Sequence, residues 1–276
     1  MDSEQTKKGI DLKRVSSALI GFPLVAAIMI LGNKYIISIG FAIIAIISMN
    51  EYLHAVSKKS NPVSWISYLA CALISLICII PEGMYSNIIL ISMAIILLTL
   101  FLQVIVTGMK TNFNDLVYTF LGIIYIAFFI SAMVMLRNSE NGKILIWYVL
   151  FSGWATDVFA YSIGKRFGKH KFSQVSPKKS IEGAIAGIIG AVAVTFTYTY
   201  FINTYTSVQY SYLYISLITV ILSVIGQIGD FAASAIKRYV EIKDYGNLIP
   251  GHGGLLDRID SIMFIAPFAY ILLSLL

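Results

Sequence analysis

Nine apolar runs follow one another along this 276-residue chain, with only short polar joins between them. They cover about residues 16–32, 35–56, 64–80, 86–107, 115–136, 144–164, 181–203, 211–233 and 259–276. Each is near the ~17–25 residues that carry a helix across the hydrocarbon of a bilayer. One such run could be a buried core helix. Nine in succession require a lipid environment, where backbone polar groups must be satisfied within the protein. Composition agrees: 58% of residues are hydrophobic, above the ~45–50% of soluble domains. The expectation is an all-α polytopic membrane bundle of about nine transmembrane helices. Residues 1–276 form a single integral membrane domain, with N-terminal spans over 1–143. Spans and cytoplasmic loops carrying a site occupy 144–276.

The cations set the predicted topology. With the N-terminus in the cytoplasm and the sides alternating, 17 of the 20 Lys and Arg residues face inward. Only Lys34, Arg137 and Lys143 face out. The positive-inside rule therefore supports a cytoplasmic N-terminus and an outside C-terminus. The net charge of +6 reads first as this topology signal and second as attraction for anionic lipid. It gives no reason to invoke nucleic acid. The first run is long and lacks a small-residue cleavage site, so it is read as a span and not as a cleaved signal. Cys71 and Cys78 both fall in the third run and read as small buried apolar side chains, with neither a disulfide nor a metal site implied.

Polar residues concentrate in the C-terminal half. The first five runs are nearly featureless apart from Glu51, which could face a cavity or snorkel to the nearby cytoplasmic surface, the latter being preferred. Asp157 and Asp230 each lie in an apolar run that precedes a basic loop. A lone carboxylate at mid-membrane costs ~2.5–3.5 kcal/mol on insertion scales, so each needs a partner, a cavity or a metal. Asp230, Ser234 and Lys237 are spaced to share one helical side. Pro250, Gly251, His252, Gly253 and Gly254 cannot form a regular helix. Their glycines let backbone N–H groups approach an anion closely. Asp257 and Asp260 follow at i and i+3, with Arg258 between them. Such a pair can hold a hard divalent cation through oxygen, and Mg²⁺ commonly takes one or two carboxylates plus substrate phosphates. In the earlier loop, Ser176, Pro177, Lys178 and Lys179, with Ser180, precede Glu182 and Gly183 at a helix start. Their hydroxyls and ammonium groups suit phosphate oxygens. His54 and His170 read as surface residues without clear partners. His252 could donate a hydrogen bond to phosphate or act as an acid, and the hydrogen bond is the favoured reading.

Together these loops resemble the phosphatidate cytidylyltransferases, or CDP-diacylglycerol synthases. The resemblance rests on Ser234, Lys237, Arg238, Lys243, Asp244, Gly246, Pro250, Gly251, His252, Gly253, Gly254, Asp257, Arg258 and Asp260. Upstream, Asp157, the stretch from Gly164 to Lys171, Ser176 to Lys179, and Glu182 with Gly183 also fit. Ser180 stands where the family usually has Thr, which keeps the hydroxyl. The resemblance implies transfer of CMP from CTP to phosphatidic acid, giving CDP-diacylglycerol and pyrophosphate. It implies a divalent cation, usually Mg²⁺, with Mn²⁺ or a second cation as variants, and a homodimer. Within it, Asp230 and Asp257 are the main metal ligands, with Asp157 and Asp260 as further ligands, and Asp230, Lys237, Asp257 and Asp260 form the catalytic set. Ser176, Lys178, Lys179, Ser234, Arg238, Lys243, Asp244, Gly251, His252, Gly253, Gly254 and Arg258 are the expected substrate-binding residues. Phosphatidic acid enters from the inner leaflet and CTP from the cytoplasm, which places the site at the cytoplasmic face of the plasma membrane. The rival readings are a CTP-using polyprenol or phytol kinase, a synthase acting on an isoprenoid-ether lipid, and an ion-coupled transporter built around Asp157 and Asp230.

Overall fold

The computed structural model describes residues 26–171, 176, 179–248 and 253–276. Among them the chain is helical, with an isolated antiparallel bridge between Lys171 and Ser180. After a helical stretch at 26–31, the helices are α1 (Lys34–Val56), α2 (Ser64–Leu73), α3 (Tyr85–Val106), α4 (Phe113–Gly122), α5 (Phe129–Asn138), α6 (Gly142–Phe167), α7 (Ile181–Tyr205), α8 (Tyr212–Tyr239) and α9 (Leu256–Leu273).

Among the described residues, six helices are long and apolar enough to cross a membrane: α1, Glu82–Val106, Phe113–Asn138, α6, α7 and α8. The nine runs read from the sequence differ for local reasons. Most of the first lies outside the described residues. The third is split: α2 tightens into a 3-10 helix at Ile74–Ile79, and Pro81 follows. A 3-10 turn rises faster than an α turn, so Ser64–Ile79 still reaches roughly 27 Å. The last run, α9, has 18 residues with Pro267 inside it and Asp257 in its first turn.

The chain groups into two compact units. One comprises residues up to Asn138 with Val240–Ile259, and the other comprises Ser139–Tyr239 with Asp260–Leu276. In the first unit, the starts of α1 and α4 are set by side-chain caps. Asn33 Oδ1 accepts from the Tyr35 and Ile36 N–H groups (3.1 and 2.9 Å). Asn112 and Asp115 form a reciprocal capping box at α4. Asp115 is 1% exposed and also accepts from the Ser60 hydroxyl and the Asn61 N–H, so a charge in an apolar run is neutralised by donors, as burial demands. Between α4 and α5 the helix widens into a π segment, Ile123–Phe128. Just before it, the Tyr52 ring lies where a Cβ on Gly122 would stand, and the Tyr52 hydroxyl donates to the Tyr118 carbonyl (2.9 Å).

In the second unit, α6, α7 and α8 are joined by buried hydroxyls. Thr156 meets Ser223 (2.7 Å), Thr195 meets Thr219 (2.9 Å), and Tyr148 meets Thr199 (3.0 Å). Interhelical hydroxyl bonds and small residues are the usual means of association where lipid supplies no hydrophobic drive. Gly187 on α7 shows the second means: a Cβ there would meet the Thr156 carbonyl oxygen of α6 at 2.9 Å.

Candidate active site

The predicted site residues fall in both units, and each set has its own geometry. In the first unit, the loop after α8 folds into a knot around the start of α9. Asp257 Oδ2 accepts from the Tyr245 N–H (2.8 Å) and the Gly254 N–H (3.1 Å). Gly253 has φ of +91°, a conformation that L side chains rarely adopt, and a Cβ there would face Asp257 Oδ2 and Asp244 Cβ at 3.3 and 3.4 Å. Glycine is therefore required at that turn. The loop is tied to the N-terminal half twice. At its exposed edge Lys59 Nζ donates to Glu241 Oε1 (2.8 Å), and this hydrogen bond and charge hold the Glu241 carboxyl below its ordinary range. Deeper in, Glu51 Oε1 and Oε2 accept from the Leu255 and Leu256 N–H groups (2.9 and 2.8 Å).

Glu51 does not snorkel, contrary to the sequence reading. It is 8% exposed and bonded to the backbone. The signal was available as a carboxylate in an apolar run, but its partners lie some two hundred residues away in the chain.

In the second unit, glycines bring α9 against α6 and α8. A Cβ on Gly153 of α6 would meet Ile262 at 3.0 Å. On α8, a Cβ on Gly226 would meet Ile265 at 2.8 Å, and one on Gly229 would meet Phe264 at 2.6 Å. This close seating sets the Asp260–Ser261 turn among carboxylates. The Ser261 hydroxyl donates to Asp157 Oδ2 (3.2 Å) and the Ser261 N–H to Asp260 Oδ1 (2.8 Å). Asp260 is 7% exposed and lies within electrostatic reach of Asp230, Asp157 and Lys237. Lys179 pairs with Asp230 and places its ammonium over the Phe231 ring, 4.1 Å from the centroid. Beside this cluster Glu182 fastens the basic loop. It accepts from the Lys169 and His170 N–H groups and contacts His170 Nδ1 at 2.6 Å. His170 is exposed, as expected, but has a partner after all.

The predicted site residues are thus partly assembled. Asp157, Asp230, Asp260, Lys179 and Lys237 gather in the second unit. Asp244, Gly253, Gly254 and Asp257 gather in the first. Ser234 is half-buried on α8, and Arg238, Lys243 and Arg258 are exposed. Ser176 O accepts from the Lys179 N–H (3.1 Å). Lys178, Gly251 and His252 lie outside the described residues. Of the glycine-loop N–H groups expected to meet an anion, that of Gly254 is taken by Asp257; the N–H groups of Leu255 and Leu256 that follow are taken by Glu51.

The donor set is oxygen-only and anionic, with ammonium groups beside it, which suits a hard cation carrying phosphates. Among the described residues no group of three or more His, Cys, Asp or Glu side chains is arranged to hold a metal ion. That is compatible with Mg²⁺, which keeps waters and takes substrate phosphates beside a few carboxylates.

The described residues thus combine six helices long and apolar enough to cross a membrane with aspartates and lysines gathered in the second unit and a glycine turn in the first. Residues 12–276 match the model of the cytidylyltransferase family, and the chain belongs to that family. A phosphatidate cytidylyltransferase of Bacillus subtilis (strain 168) is 39% identical over 182 residues, covering 65% of this chain and 66% of that relative. Phosphatidate cytidylyltransferases of Staphylococcus haemolyticus (strain JCSC1435) and Staphylococcus aureus (strain COL) are each 32% identical, over 94% of this chain and 98% of theirs.

Proposed function

We propose that this chain is a phosphatidate cytidylyltransferase, which transfers CMP from CTP to phosphatidic acid and releases pyrophosphate. The observation that carries the reading is the run from Ser234 to Asp260, in a chain whose family match extends almost end to end. A phosphate oxygen of the lipid attacks the α-phosphorus of CTP. The new P–O bond joins lipid phosphate to CMP, and the bond to the β-phosphate breaks. The lipid phosphate is already ionised, so no covalent enzyme nucleophile is needed. Both reactants are anions, and catalysis consists of alignment and charge neutralisation.

Lys237, Arg238, Lys243 and the segment from Ser176 to Lys179 hold the phosphates, with Ser234, Asp244 and Arg258 beside them. On the sequence motif, Asp230 and Asp257 are the proposed Mg²⁺ ligands, with Asp157 and Asp260 as further ones. When bound, the cation supplies Lewis-acid stabilisation of phosphoryl oxygens. Lys179 pairs with Asp230, which supports a role for its ammonium in holding an incoming phosphate. The knot around Asp257 fixes the start of α9, which carries both Asp257 and Asp260.

The nine-span topology, with a cytoplasmic N-terminus and outside C-terminus, puts both basic loops at the inner face of the plasma membrane. Lipid reaches them from the inner leaflet and CTP from the cytoplasm, and the enzyme works as a homodimer. The Cys71→Ala/Cys78→Ala protein is expected to keep most of its activity, because the pair has no chemical role here. In that background a cysteine at Lys110 should react with impermeant maleimide only from the cytoplasmic side, and one at Lys143 only from outside. Labelling of both from one side would refute the topology.

The reaction is tested with purified protein, phosphatidic acid and CTP labelled at the α-phosphorus. Label should enter the lipid phase, and EDTA should abolish its transfer. Transfer from γ-labelled CTP instead would establish a lipid kinase. No lipid labelling by folded protein would reject the cytidylyl transfer.

A further inference from the structure

We infer that Glu51 is a positioning residue for cytidylyl transfer: from α1 it clamps the glycine turn and the first turn of α9 in the shape that presents Asp257. The role in turnover rests on the function proposed above, whereas the clamp itself stands on geometry. Glu51 lies near the end of an apolar helix and is 8% exposed. A buried carboxylate is costly unless donors satisfy it. Both of its oxygens are met, one by the Leu255 N–H and the other by the Leu256 N–H. The first N–H groups of a helix have no intrahelical acceptor, and the dipole there favours an anion. Glu51 supplies that anion from a distant part of the chain.

Two glycines close the clamp. A Cβ on Gly246 would lie 2.6 Å from Glu51 Oε1, and one on Gly254 would lie 2.6 Å from Oε2. Neither glycine has a positive φ, so space for the carboxylate, not backbone conformation, is what requires glycine there. Gly254 is also the residue whose N–H binds Asp257. Displacing Glu51 therefore shifts Gly254 and, through it, the Asp257 carboxylate. The other tether, Lys59 to Glu241, is an exposed ion pair of the kind that contributes little.

One consequence concerns the substrate. The start of α9 already holds an anion, so phosphate is bound by the lysines and arginine of the loops and not by the N–H groups of Leu255 and Leu256.

The test compares full-length Glu51→Ala, Glu51→Gln and Lys59→Met proteins with wild type. kcat and KM for CTP are measured, together with the rate of tryptic cleavage after Lys243 and Arg258, both exposed. Glu51→Ala should lower kcat about a hundredfold, the cost of roughly an ångström of misplacement. KM should change less than about threefold, and cleavage should quicken about tenfold as local opening rises. Glu51→Gln, which keeps the shape and one acceptor oxygen, should recover about a tenfold share of the lost kcat. Lys59→Met should behave as wild type.

Wild-type kcat in Glu51→Ala would overturn the inference. So would a lost kcat with unchanged cleavage, or a glutamine variant no better than alanine. If Glu51→Ala does not fold, Gly254→Ala, which drives a methyl against the same carboxylate, must reproduce the kcat loss or the clamp is rejected. A wild-type protein inactive with CTP would reject the function, while the cleavage rates would still judge the clamp.

Discussion

Asp230→Asn is expected to lower cytidylyl transfer by about a thousandfold, the scale of losing a major electrostatic group from a phosphoryl-transfer site. Asp230 sits on α8, paired with Lys179 and within electrostatic reach of Asp260, itself near Asp157 and Lys237. The amide keeps the shape of the side chain but removes its charge. Lys179 then loses its counter-ion, and the carboxylate cluster loses one of the ligands proposed for a cation. The side chain is part-exposed, so folding should survive the exchange. The measurement is kcat with α-labelled CTP on protein shown to be folded, compared with Lys179→Met and the double variant. If Asp230 only serves as a counter-ion for Lys179, the double variant will be no worse than Lys179→Met alone. A separate role toward the cation predicts a further loss. Activity of Asp230→Asn within about tenfold of wild type would remove Asp230 from the site.

The second large effect is at Asp257, where asparagine and alanine separate two roles. Asp257 Oδ2 accepts from both Tyr245 and Gly254. Asparagine can turn its single oxygen to that position and keep the knot while losing the negative charge. Alanine leaves two buried N–H groups without their acceptor, at about 1–3 kcal/mol each. Asp257→Asn should therefore melt near wild type yet lose about two to three orders of magnitude in kcat. Asp257→Ala should lose activity and stability together. Near-normal turnover in Asp257→Asn would refute its assignment as a metal ligand and leave Asp257 as the organiser of the loop alone.

Much of the candidate site was legible because its residue types are out of place in lipid. Asp157 and Asp230 interrupt apolar runs, and their gathering with Asp260 in one unit follows the expectation that such carboxylates find partners. The spacing of Gly226 and Gly229 before Asp230 carried a further message, since those glycines admit the Ile265 and Phe264 side chains of α9. The partners of Glu51 and Asp115 escaped for a common reason. Each carboxylate is satisfied by backbone donors outside its own helix, and hydropathy carries no record of which loop returns to which helix. The third run was read as one helix because a 3-10 turn and an α turn look alike in apolar composition. His170 was read as unpartnered because Glu182, twelve residues on, meets it only through the return of the loop.

By itself the sequence determined that this chain is helical and bound for a membrane, and its motif determined the family. Both follow from local properties: the length and polarity of each run, and the order of side chains within a couple of dozen residues. Only the tertiary structure decided which groups satisfy one another. It joined Glu51 to the first N–H groups of α9, bonded Asp257 to Tyr245 and Gly254, and set Lys179 on Asp230. A buried charge requires a partner whatever the fold, but which atom provides it depends on helices and loops meeting across long separations in the chain.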